Sequence, residues 1–326
     1  MTTEYQLPLL RHGLVYEQGW TDYDIGRMKA TGDWQLLRQG VYIPTGVKVF
    51  PEQRHRWLVE GTVARLRSRS DAVVSHVSAA VLHGLPVWGL GLDRVHITRP
   101  GRAGVNGTGC VHPHRAKLTD AEITMVDGIA VTSAARTVLD LARSAPFTQA
   151  VVVADGALAA ELTTPDELAA VLEIARSRGS ARAAARVIEF ADCRSESVGE
   201  SRSRVLFAVH GLPKPELQVR LHDRNGLFIG RVDFDLPEFR TVGEFDGFGK
   251  YSTLLRPGQS PADAVIEEKI REDRIRDTGR QVVRWTGRDL PNPGSIMQRF
   301  VAAFARSGFP DWVPSAPRLL LGRQVA

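Results

Sequence analysis

Four carboxylates stand in one short run, Arg231-Val-Asp-Phe-Asp-Leu-Pro-Glu-Phe-Arg-Thr-Val-Gly-Glu-Phe-Asp246, as two pairs: Asp233 with Asp235, and Glu244 with Asp246. A hard divalent ion takes oxygen ligands, and once bound it can polarise a phosphodiester and supply hydroxide from water at neutral pH. Alternate residues of a strand share a face, so each pair points one way from its own strand. A hairpin brings the pairs together, and Asp233 with Glu244 is the natural ligand pair. Acidic residues are depleted in strands, so two pairs at alternate positions ask for a task beyond solubility.

The elements that must position this cluster can be read around it. Glu200 to His210 is expected as a helix, followed by strand-like runs at Glu216–His222, Leu227–Leu236 and Phe239–Phe245. Asp223-Arg-Asn-Gly226 contains the Asn-Gly pair of a hairpin turn, and Leu236-Pro-Glu238 is a tight connection. A charged helix from Pro261 to Thr278 then leads to a strand at Gln281–Trp285. Val232, Phe234, Val242 and Phe245 are expected to pack on the other sheet face or beneath the helices.

With those motifs in place, the segment from about Ser195 to Leu290 resembles the restriction-endonuclease-like (PD-(D/E)XK) superfamily, and more closely its very-short-patch-repair-like branch. The matching positions are Asp233, then Glu244, Asp246 and Gly247, with Lys250 in the basic place. Glu200-Ser201-Arg202-Ser203-Arg204 on the preceding helix and Pro215-Glu216-Leu217-Gln218 on the first strand match further family motifs. The resemblance implies a nuclease that uses Mg2+ or Mn2+ held by Asp233, Glu244 and Asp246. The strict signature has lysine two residues after the glutamate, where this chain has Asp246, so Lys250 is the cation that could stabilise the phosphorane. Glu200 would complete the metal shell or bond Arg204 one turn on, and Gln218 would touch the attacking water or the sheet edge.

The first fifty residues are expected to form a helix at Glu4–His12, a second at Asp22–Ala30 capped by Thr21, and strands at Trp34–Arg38 and Gly40–Ile43, the outline of a winged helix. In a helix-turn-helix the second helix enters the major groove, so Tyr23, Arg27 and Lys29 are candidate DNA contacts, with Arg38 near phosphate. The run Leu36-Leu-Arg-Gln-Gly-Val-Tyr-Ile-Pro44 is similar to the amino-terminal domain of AbiEi-type antitoxins. Ser75-His-Val-Ser-Ala-Ala-Val-Leu-His-Gly84 and Val131-Thr-Ser-Ala-Ala-Arg-Thr-Val-Leu-Asp140 extend that similarity into the middle of the chain. It implies an autoregulatory DNA-binding protein with a toxin as protein partner, and so a non-enzymatic alternative in which the nuclease fold only binds DNA or a partner.

A middle module at residues 51–194 is expected to be mixed, with an arginine-rich helix from Pro51 to Asp71, a helix at Ser75–Leu85, and strands at Arg94–Thr98 and Cys110–Arg115. Its second half reads as helices at Ser133–Arg143, Ala145–Leu162, Pro165–Arg178 and Ala181–Ala191. The expected class is therefore multidomain α+β: a winged helix at 1–50, this module, and an endonuclease-like α/β domain at 195–326.

A net charge of +5, carried mainly by arginine, permits phosphate contacts without requiring them. The two cysteines, Cys110 and Cys193, fit no disulfide framework, and no apolar run is long enough to span a membrane, so a cytoplasmic location is expected. His112 and His114 share a strand face, but without further ligands at recognisable spacing no zinc site is expected, and His76 and His83 read as packing or capping residues.

Overall fold

The computed structural model describes residues 10–11, 20–38, 41–46, 49–66, 71–100, 109–176, 181–247 and 260–316. The chain is α+β and divides into two compact units, residues 1–145 with 161–189, and residues 146–160 with 190–326.

In the first unit, strands β1 (Leu10–Arg11), β2 (Trp34–Arg38) and β3 (Val41–Pro44) form an antiparallel sheet in the order β1-β3-β2. Leu10 and Arg11 pair with Tyr42 and Val41, so the end of the helix expected at Glu4–His12 is instead a strand. Sheet pairing of the backbone overrides local propensity there. Helix α1 (Asp22–Ala30) opens with a capping box in which Thr21 and Asp24 exchange bonds, and Ile25 buries against Trp34 and Tyr42.

Helix α2 (Pro51–Leu66) buries His55, Trp57, Leu58 and Val59, while Arg54 is exposed and Arg56 half-buried. Helix α3 (His76–Leu82) packs with a five-stranded sheet of β4 (Val73–Val74), β5 (Val95–Arg99), β6 (Val111–Arg115), β7 (Ile123–Val126) and β8 (Ile129–Thr132), ordered β6-β5-β4-β8-β7. The β7–β8 hairpin turns through Asp127 at φ 49° and Gly128 at φ 73°, the doubly left-handed geometry that Asp-Gly favours. Helices α4 (Ala134–Ser144), α6 (Pro165–Arg176) and α7 (Ala181–Phe190) also belong here, α7 up to Glu189.

Helix α5 (Phe147–Ala159) belongs to the second unit, which thereby recruits a segment from before the boundary read at 194/195. The physical link is a buried ion pair: Arg204 Nη1 on α8 (Val198–Val209) donates to Asp155 Oδ2 at 2.7 Å. Strands β9 (Glu216–His222), β10 (Phe228–Leu236), β11 (Thr241–Asp246) and β12 (Gln281–Thr286) form the order β12-β11-β10-β9. The first three are antiparallel in sequence, and β12 runs parallel to β11 after helix α9 (Pro261–Asp277). Leu217, Phe234, Phe245 and Trp285 pack with Phe207 of α8 and with Phe300 and Phe304 of α10 (Pro293–Arg306). Val232 and Val242 join Ile275 of α9 in a second cluster.

A candidate metal centre on the β10–β11 hairpin

The β10–β11 ladder runs from Leu236↔Thr241 to Phe234↔Gly243, and Asp233 and Glu244 are the next residue of each strand beyond it. Both side chains line the same cleft, so the two carboxylates converge there. Arg231, Asp233, Glu244, Asp246, Glu268, Arg271 and Arg284 line one cleft of about 190 Å3. Asp235 shares the alternation of Asp233 but is buried and held by Arg280 Nη2 at 3.1 Å, away from that lining.

The hairpin fixes these groups closely. Asp233 Oδ2 accepts the Phe245 backbone N–H at 2.8 Å, locking the carboxylate to the opposite strand. Glu244 Oε1 accepts from Arg271 Nη2 at 2.6 Å, while Arg284 Nη2 lies 2.6 Å from Oε2. That second contact lacks hydrogen-bond alignment, so Oε2 is buried near a positive charge and accepts no bond. Burial pushes the Glu244 carboxyl up against the opposing pull of the two guanidiniums. Asp246 faces Arg284 at 3.6 Å, and Arg284 also contacts Glu268 and Glu272.

Glu200 and Gln218 complete the neighbourhood. Ser197 caps α8, and Glu200 Oε1 accepts from its hydroxyl at 2.7 Å. Glu200 Oε2 accepts from the Glu196 N–H at 3.0 Å and from Gln218 Nε2 at 2.8 Å. The expected bond from Glu200 to Arg204 does not form, because Arg204 turns to Asp155. Burial pushes Glu200 up, and the charge of Asp233 adds to this. Gln218 occupies the left-handed region at φ 55°, and its Oε1 is buried without a donor. A non-glycine residue in that region costs of order 1–3 kcal/mol and persists only where its surroundings over-determine it.

These carboxylate oxygens suit a hard ion. Asp233, Glu244 and Asp246 offer oxygen donors from adjacent strands, both oxygens of Glu244 meet guanidiniums, and Gln218 Oε1 is a buried acceptor without a donor. Lys250 lies outside the described residues. The sequence reading missed the roles of Arg271, Arg284 and Glu268: two of them come from α9, remote in sequence from the hairpin they face. Charges spaced three residues apart on a helix signal a shared face, but give no sign of what that face meets.

The proposed DNA-reading residues are only partly brought together. Tyr23 and Arg27 are exposed and one helical turn apart on α1. At about 100° per residue, Lys29 is on roughly the opposite side from Arg27, and its Nζ sits 5.9 Å from the Tyr42 ring centroid. Arg38 lies on β2, and its side chain is outside the described residues. No described helix is long and apolar enough to cross a membrane.

No protein-family model matches the chain. Two uncharacterized proteins of Mycobacterium tuberculosis, MT2308 and Rv2248, are each 29% identical to it over 188 residues, 57% of this chain and 66% of theirs. Among solved structures, the RV2827C protein from M. tuberculosis is similar over 55% of this chain and 73% of its own, at 15% identity and a TM-score of 0.33.

Proposed function

We propose that the chain acts on DNA, with a restriction-endonuclease-like carboxy-terminal unit that hydrolyses phosphodiester bonds with Mg2+ or Mn2+. The observation supporting this reading is the single cleft that Asp233, Glu244 and Asp246 line together where β10 and β11 leave their ladder. When bound, the ion would polarise the phosphate and lower the pKa of its water. Asp233, Glu244 and Asp246 would hold it, while Arg231, now paired with Glu196, would turn its guanidinium to the negative oxygens of the phosphate. Glu200 and Gln218, joined at 2.8 Å, would orient the attacking water. The amino-terminal winged helix would read DNA through Tyr23, Arg27, Lys29 and Arg38.

One observation favours a second reading, a non-enzymatic AbiEi-like regulator that keeps the fold for DNA or toxin binding. Arg271 and Arg284 already compensate Glu244, so the acids can serve as a structural ion-pair network.

Incubation of the protein with single-stranded, double-stranded and mismatched DNA, with and without Mg2+ or Mn2+, beside Asp233→Ala and Glu244→Ala, separates the two. Metal-dependent cutting that both variants lose is the expected result. Intact DNA under all conditions, with tight binding retained, rejects the nuclease in favour of the regulator.

A further inference from the structure

The first unit carries a second cluster of ligating side chains. His76 opens α3, while His96 and His114 lie on the parallel neighbours β5 and β6. One ring nitrogen from each lies within 4.8 Å of the other two. His114 Nε2 is 2.9 Å from His96 Nδ1, and the His76 ring stacks on His114 at a centroid distance of 3.5 Å. His112 stacks at the margin, 4.7 Å from His96 and 4.6 Å from His114 between centroids.

Two further observations fit a bound cation. Asp140 is buried; its Oδ1 accepts from Arg136 Nε at 2.9 Å, whereas its Oδ2 has no hydrogen-bond donor and lies 4.0 Å from His76 Nδ1. His76 itself holds a left-handed φ of 53°, a conformation that a residue with a Cβ keeps only where its surroundings over-determine it. Packing alone gives no reason to strain a histidine into three other imidazoles beside an unsatisfied carboxylate oxygen.

We propose that His76, His96 and His114 bind one divalent transition-metal ion of the zinc class, with Asp140 positioning His76. Imidazole donors select zinc, cobalt or nickel over magnesium, whose preferred ligands are oxygens. A Zn–N distance of about 2.0–2.1 Å requires the three nitrogens to close on one point, which side-chain rotation supplies. His76 Nδ1 is taken up by Ser75 Oγ at 3.0 Å, with Asp140 Oδ2 behind it at 4.0 Å, which leaves Nε2 for the ion; closing the gap to Asp140 would complete a carboxylate–histidine–metal arrangement. Burial and mutual repulsion keep the rings neutral, as ligation requires: His76 falls to about 2, His96 to about 3 and His114 to about 4. Three imidazoles leave one tetrahedral position to solvent. Ligand spacing along the chain could not reveal this site, because only His114 of the three lies in the Cys110–His114 motif, and Cys110 is not part of the cluster.

The test uses full-length protein stripped with chelator and titrated with Co2+, then challenged with Zn2+ or Mg2+. The expected result is one Co2+ per chain with visible d–d absorption, displaced by Zn2+ and not by Mg2+. That spectrum should vanish in His96→Gln and His114→Gln, persist in His112→Gln and Glu244→Ala, and need about 10- to 100-fold more metal in Asp140→Asn. Zn2+ titration of the wild type followed by imidazole NMR gives a second readout should a histidine variant fail to fold. Absence of both the Co2+ spectrum and imidazole shifts overturns the site, as does a spectrum that folded His96→Gln and His114→Gln both retain.

Discussion

Arg271 Nη2 bonds Glu244 Oε1 at 2.6 Å from a helix beginning fifteen residues after the β11 strand ends, so the guanidinium stands where a cation would otherwise meet that oxygen. Removing it frees a ligand and takes one guanidinium out of the cleft. Arg271→Ala should therefore tighten Mn2+ binding several-fold by calorimetry while lowering the rate of DNA cutting at saturating metal by about 10²-fold, the scale of one lost electrostatic donor. Unchanged Mn2+ affinity would show that Arg271 does not compete for the site.

Gly199 supplies the close approach of α8 to the hairpin: a Cβ there would lie 1.9 Å from Phe245 Cε1. Gly199→Ala must displace Phe245, whose N–H holds Asp233. Denaturant melts should register a loss of about 1–3 kcal/mol, the usual scale of overpacking, together with weaker Mn2+ binding. A stable variant with native metal affinity would refute the coupling.

The Asp155–Arg204 pair is buried at both ends. Breaking such a pair from one side strands an uncompensated charge, typically 3–5 kcal/mol. Asp155→Ala should lower the stability of the second unit by that amount in urea, and Asp155→Ala with Arg204→Met should recover part of it. Loss of less than 1 kcal/mol in the single variant contradicts this account.

Acid should weaken the first unit through Glu122. Burial opposes its ionisation, but the Thr119 N–H at 2.9 Å and Arg136 at 2.8 Å hold its pKa below the ordinary 4.5. Since the folded value is the lower one, the contribution is complete above the unfolded pKa and disappears as pH falls through the folded pKa. The stability gap between wild type and Glu122→Gln should thus be widest near neutral pH and narrow as the pH falls below the ordinary glutamate range. A gap independent of pH would exclude this linkage.

Much of the carboxy-terminal unit was legible because its signals are local. Alternation, Asn225-Gly226 and the proline at the start of the charged helix mark elements within a few residues of their boundaries. The β7–β8 hairpin was equally marked by Asp127-Gly128 and was not read, because its flanking strands are only four residues each. Strand parity put Asp233 and Glu244 on one side, and both line one cleft. Arg271 against Glu244, and His76 beside His96 and His114, did not follow from parity, since each joins segments whose proximity is set by sheet order. Similarly, Leu10 and Arg11 become strand only because β3 offers them a partner.

The cations that meet Glu244 are also its most distant neighbours in the chain. The β10–β11 hairpin is a short-range contact, whereas β12 pairs with β11 only across α9. Asp233 and Glu244 share one cleft, so their like charges stand uncompensated unless Arg271 and Arg284 are in place. Docking of α9 and β12 is therefore electrostatically favoured, and added salt should slow refolding of this unit in stopped-flow measurements.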